Sequence, residues 1–212
     1  MVSIDTALQF IAVSAVLAVV PGPDNLFVLM QSAAGGARKG IAVTLGLCTG
    51  LVVHTAAVAF GVAAIFQASA AAFTALKILG ATYLLYLAYG ALTSGMDTPV
   101  ASEGPAGAGR DNLTGLYRRG ILMNITNPKV ALFFLAFLPQ FAKAGAGPAA
   151  LQILQLGGLF MMTALMIFSL IAYTAGRLSH WLRRSPKAIK TMNRVAGIVF
   201  IGLAAKLAAA QR

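Results

Sequence analysis

Six stretches of this chain are apolar over about a membrane's thickness, and no other feature limits its fold as strongly. They fall at about 6–30, 41–66, 70–93, 120–142, 149–174 and 191–210. A helix that crosses hydrocarbon needs roughly 20 predominantly apolar residues. Inside lipid the backbone must satisfy its own polar groups, so only helices or a closed barrel can span. These runs are too long and too unalternating for barrel strands. The chain therefore predicts an all-α membrane protein of six transmembrane helices. Charge is too scarce for any other solvent: 10% of residues are charged and 59% hydrophobic, where a soluble domain carries about 25% charged residues. Six spans leave only short connections, so residues 1–212 form a single transmembrane domain.

The charges sit between the apolar runs. Arg38 and Lys39 follow the first; Arg110, Arg118 and Arg119 lie between the third and fourth; Arg177, Arg183, Arg184, Lys187, Lys190 and Arg194 lie between the fifth and sixth. The other side has Lys143 and Arg212, while Lys77, Lys129 and Lys206 fall within spans. Cationic loops face the cytoplasm, which places these three basic segments inside and both termini outside. The net charge of +11 is thus topogenic and points to anionic membrane lipid as the partner, with no nucleic acid. The stretch from Arg177 to Arg194, with Trp181, is expected to rest on the lipid surface. The N-terminal Met1-Val2-Ser3-Ile4-Asp5 has no positive charge, and the run after it reads as a retained first helix.

Chemistry-bearing groups are few. His54 and His180 are the two histidines, there is no HExxH motif, and no acid pair lies within a span. No catalytic residue, metal site or cofactor is expected, and an enzyme is disfavoured. Cys48 is the single cysteine and reads as a small packing residue. His54 reads as a buried, hydrogen-bonded core histidine. Gly46 and Gly50 have the spacing that lets two helices approach closely, which leaves monomer and homodimer open. The short Gln67–Ala70 connection predicts a tight hairpin of the second and third spans.

Proline interrupts two of the runs. The first contains Pro21-Gly22-Pro23-Asp24-Asn25 and the fourth Asn124-Ile125-Thr126-Asn127-Pro128-Lys129. Proline removes a backbone donor and breaks or kinks a helix. The chain then reads as two three-helix repeats, about 1–95 and 115–212, each opening on a broken helix. An odd number of spans per repeat inverts one against the other, and broken helices at matching positions mark a transporter's midplane site. Asn127 suits an N-cap with Pro128 at the first helical position, and Gly22 with Pro23 can do the same. Free N–H groups at such restarts suit a carboxylate, and a zwitterionic amino acid fits the whole combination. Asp24 and Lys129 are ionisable groups near mid-membrane, functional or paired by default. They are expected to pair with each other.

These segments carry a family resemblance. Pro21 through Asn25, Gly36-Ala37-Arg38-Lys39-Gly40, and then Gly46 and Gly50, resemble the first half of the LysE/RhtB amino-acid exporters. Tyr83-Leu84-Leu85-Tyr86-Leu87-Ala88-Tyr89-Gly90 is similar to their third span. Gly120 through Asn127-Pro128-Lys129 to Phe133-Phe134-Leu135-Ala136-Phe137-Leu138-Pro139-Gln140-Phe141 is similar to their fourth. The resemblance implies secondary active export of amino acids or close derivatives across the bacterial inner membrane, driven by proton antiport. It implies a substrate region at Pro21, Gly22, Pro23, Asp24 and Asn25 together with Asn124, Asn127, Pro128 and Lys129, with Asp24 as proton acceptor. The family covers basic, neutral and hydroxylated substrates. Asp24 is the only acid within a span, which favours a neutral substrate of the homoserine, threonine or branched-chain type. A basic amino acid or another small solute is the alternative.

Overall fold

The computed structural model describes residues 1–20, 22–62, 70–93, 112–143 and 145–209, and among them there is helix and no strand. α1 (Ile4–Val19) starts at Ser3, whose side chain accepts the Thr6 N–H at 3.3 Å. It stops for a covalent reason. Pro21 and Pro23 carry no N–H, so the carbonyls of Leu17 and Val19, four residues earlier, lose their helical partners. α2 (Pro23–Gly35) restarts at once, with Gly22 as N-cap and Pro23 in the first turn. Gly36, at φ 82°, then turns the chain into α3 (Ala37–Ala57), using a left-handed backbone that glycine adopts without strain.

α4 spans Ala70–Thr93. α5 (Leu113–Thr126) is capped by Asn112, whose side-chain oxygen accepts the Gly115 N–H at 2.7 Å. Asn127 both ends α5 and caps α6 (Pro128–Leu132), which runs on through a wide π turn, Phe133–Phe137, and a tight 3₁₀ turn, Leu138–Phe141. α7 (Ala149–Arg184) and α8 (Pro186–Ala209) complete the bundle. Among the described residues four helical stretches, Ala37–Gly61, Thr74–Thr93, Ala149–Leu178 and Lys187–Ala209, are long and apolar enough to cross a membrane. The pairs α1–α2 and α5–α6, inclined by 61° and 51°, bring the number to six when each counts as one broken span.

Large apolar side chains face outward along the bundle. Tyr173 is 74% exposed, Met166 71% and Ile198 66%, a surface whose fitting solvent is lipid. The interior is built around α3, which packs against α2, α5 and α7. Its close approach to α5 rests on missing side chains. A methyl on Gly46 would overlap the Tyr117 carbonyl, a methyl on Gly120 the Val43 carbonyl, and a methyl on Gly50 would come within 2.7 Å of Asn124. The Gly46/Gly50 spacing is therefore used within the chain.

Two expectations give way here. Among the described residues α4 packs on α8 and against the π turn rather than along α3, which is not the packing of a tight hairpin of spans two and three. The faces of α3 are already taken by α2, α5 and α7, while Gly80 of α4 seats against Ala136 and Leu207, and Gly197 of α8 against Leu92. Most of the Gln67–Ala70 connection lies outside the described residues. The basic stretch 177–194 is helical rather than a loop: α7 continues to Arg184, and only Ser185 separates it from α8. Nothing between Gly176 and Ser185 breaks a helix. At 1.5 Å per residue, the 36 residues of α7 reach about 54 Å, well beyond a hydrocarbon core of roughly 30 Å. The helix is therefore longer than a hydrocarbon core is thick.

Gly46→Ala is expected to lower stability by about 1–3 kcal/mol, the usual effect of overpacking a close contact. Gly158→Ala, where an added methyl meets no atom within 4 Å, serves as the control. Thermal unfolding of the detergent-solubilised protein reads both, and equal melting temperatures would contradict a glycine-dependent α3–α5 contact.

Candidate functional site

The two helix breaks meet. Leu17, Ala18, Val19 and Val20 are the last four carbonyls of α1, and Val20 N–H closes the final helical bond onto Val16 at 2.9 Å. All four find donors from elsewhere. Asn25 Nδ2 donates to Ala18 and Val19, the latter at 3.4 Å. Lys129 Nζ donates to Leu17 and Val20, each at 3.4 Å. Asn25 belongs to the first break and Lys129 to the second, so the carbonyl end of α1 ties the two together. Gly22 makes room for this: a methyl there would stand 2.9 Å from Lys129 Nζ.

The second break is treated the same way. Pro128 removes the N–H that would have bonded Asn124 O. That carbonyl accepts instead from Asn127 N at 3.1 Å and from His54 Nε2, also at 3.1 Å. A carbonyl can only accept, so His54 carries its proton on Nε2. Asn127 Oδ1 accepts the Lys129 N–H at 3.0 Å, so α6 is capped. No side chain caps α2. Of the two restarts, α2 has the more open positive end, and Asp24 lies in its first turn.

Asp24 and Lys129 do not form the ion pair expected from the sequence. Asp24 Oδ2 accepts from Asn124 Nδ2 at 3.4 Å, while the ammonium of Lys129 turns to the carbonyls of α1. The reason is the partial negative charge at the C-terminal end of a helix. The two carbonyls that Asn25 does not serve, those of Leu17 and Val20, hold the ammonium.

What remains is a set of buried polar atoms without partners. Asp24 Oδ1, Asn25 Oδ1, Asn124 Oδ1 and Asn127 Nδ2 make no hydrogen bond, and neither does Gln31 Oε1 farther along α2. The amide orientations follow from the bonds that are made, because Asn25 and Asn124 must each spend Nδ2 on an acceptor and Asn127 must spend Oδ1 on a donor. Each unsatisfied buried group costs about 1–3 kcal/mol, so such a cluster asks for a guest. Asp24, Asn25, Asn124 and Lys129 line one pocket, with Leu17, Ala18, Leu51, Val130, Phe160, Ala164 and Phe168 as its apolar walls. Its volume is about 20 Å³, room for about one water. An amino acid enters only if the walls part.

The family model of the LysE type translocator matches residues 15–211. The chain belongs to that family. The family is one of transporters. Among its relatives is an uncharacterized membrane protein of Pseudomonas aeruginosa, 33% identical over 193 residues, 90% of this chain and 88% of the relative. Another is the leucine efflux protein of an Enterobacter strain, 29% identical over 192 residues, covering 91% of this chain and 90% of the relative. The leucine efflux protein of Salmonella typhimurium is 29% identical over 199 residues, 92% and 91% of the two chains. No solved structure matches.

Of the residues this translocator's sequence singled out, Gly22, Pro23, Asp24, Asn25, Asn124, Asn127, Pro128 and Lys129 gather at the meeting of the two breaks. Pro21 lies outside the described residues. Sequence reasoning treated His54 as core, and it is buried and hydrogen-bonded. Its partner, however, is the carbonyl that Pro128 orphans, which joins it to the second helix break. The signal was a histidine within a span of a chain that has a second, proline-freed carbonyl. The apolar walls were missed, since Phe160, Ala164 and Phe168 look like any other lipid-soluble residues in the sequence.

Asn25→Ala leaves the Ala18 and Val19 carbonyls without donors and is expected to cost about 1–3 kcal/mol per carbonyl that stays dry, read as a lower melting temperature. Reversing both charges, Asp24→Lys with Lys129→Asp, would set a carboxylate against the carbonyls of α1. The double variant is expected to fold no better than either single one by size-exclusion yield. Recovery to the native yield would show that the two residues pair after all.

Proposed function

We propose that this translocator exports neutral, aliphatic amino acids from the bacterial cytoplasm across the inner membrane in exchange for protons. The observation that carries the reading is the two-sided pocket at the helix breaks. Its polar side is lined by residues holding three unpartnered acceptor oxygens, on Asp24, Asn25 and Asn124, which match the three N–H donors of an ammonium group. Lys129 and the uncapped start of α2 supply positive character for a carboxylate. The remaining walls are aliphatic and aromatic. Relatives named leucine efflux proteins agree with an apolar side chain. A basic substrate would bring a second cation into a pocket that already contains Lys129 and has one carboxylate, Asp24, among its walls.

Asp24 is then the group that takes a proton when the ammonium leaves. The basic segments at Arg38-Lys39, Arg118-Arg119 and Arg177–Arg194 face the cytoplasm, with the chain ends outside. The halves at about 1–95 and 115–212 act as inverted repeats around the shared pocket.

Counterflow in proteoliposomes tests this with leucine, homoserine, threonine and lysine, with and without an imposed pH gradient. Leucine is expected to exchange well above protein-free vesicles and lysine is not. The gradient should drive wild-type flux several-fold and leave Asp24→Asn unaffected. Absence of any amino-acid flux would overturn the reading; gradient-insensitive wild-type flux would overturn the coupling alone.

A further inference from the structure

The apolar side of the pocket has a pattern of its own. Phe160, Ala164 and Phe168 recur every four residues along α7, which stacks them on one face of the helix. All three are buried, and all three line the pocket. α7 is the one pocket helix that runs unbroken over 36 residues, so this face is a continuous strip rather than a hinge.

The strip is held from behind. The Phe160 ring meets Phe134 edge-on at 5.1 Å and 76°, lies 5.4 Å from Phe133, and reaches Phe10 at 6.5 Å. Swinging Phe160 aside would disrupt packing with three other rings. Between it and Phe168 stands a single methyl group, Ala164, which is 1% exposed. The strip thus has one shallow position between two bulky ones, and it shares the pocket with the polar pole of Asp24, Asn25 and Asn124.

We propose that Ala164 sets the size of the amino-acid side chain carried, with that side chain lying over Ala164 between Phe160 and Phe168. This deepens the amino-acid export reading and rests on it. The main-chain groups of the substrate stay at the polar pole, whatever the side chain. Ala164 is therefore a specificity-determining residue, and its size changes which substrate is favoured more than whether export occurs. A rigid apolar wall distinguishes one methylene by about 10- to 200-fold.

The test compares leucine and alanine counterflow for the wild type, Ala164→Leu and Ala164→Gly, with phenylalanine added for the last. Ala164→Leu is expected to lower the leucine-to-alanine ratio of kcat/KM by about tenfold or more. Ala164→Gly is expected to raise phenylalanine relative to leucine several-fold. A folded Ala164→Leu with the native ratio overturns the proposal. If that variant does not fold, Ala164→Gly decides, and an unchanged phenylalanine-to-leucine ratio overturns it. A wild type that carries no amino acid at all overturns the export reading and this inference together; native flux with unaltered ratios overturns this inference alone.

Discussion

The last turn of α1 ends in four carbonyls that no helix can satisfy, and Leu17, Ala18 and Val20 are buried inside the bundle. Backbone acceptors left bare there cost several kcal/mol between them. Asn25 and Lys129 supply the donors, one from each helix break. That pairing joins the two helix breaks. It also explains why Gly22 has no side chain to lose, because the lysine passes where a methyl would stand.

The same interaction sets the chemistry of the pocket. With Lys129 committed to the carbonyls of α1, Asp24 keeps one oxygen without a partner, and its neighbours Asn25 and Asn124 each keep another. Acceptors are therefore left over on one side, while positive character gathers at Lys129 and the start of α2. His54 completes the frame by holding the carbonyl that Pro128 orphaned. Structural roles and the proposed recognition roles thus fall on the same few side chains.

Those walls differ in stiffness. α1–α2 and α5–α6 are interrupted, and α6 passes into π and 3₁₀ turns before it ends. Such irregular turns are where helices hinge. α7 opposite them is continuous and backed by packed phenylalanine rings. A pocket with room for about one water has to widen for any amino acid. In the proposed reading the interrupted helices give way, and the α7 strip, backed by packed rings, is the surface against which a side chain is measured.

Much of this was legible before any coordinates. Long apolar runs with cationic connections require helices in lipid, and proline at residues 21, 23 and 128 requires breaks, because a missing N–H is a covalent fact. The proposed site residues at those breaks are read by the same reasoning. Partner choice did not. Asp24 and Lys129 are opposite charges at matching positions, and their sequence suggests a pair. Only the folded chain shows that α1's carbonyl end lies nearer the ammonium's preference. The short link between the second and third spans suggested a hairpin, yet α4 found its complement in α8, where Gly80 and Gly197 leave room. The sequence by itself determined the solvent, the number of apolar runs and where the helices must stop, since each of these depends on local composition or on a single bond. Tertiary structure alone decided which orphaned groups satisfy one another and which residues of α7 face the pocket, because those depend on distances between segments a hundred residues or more apart.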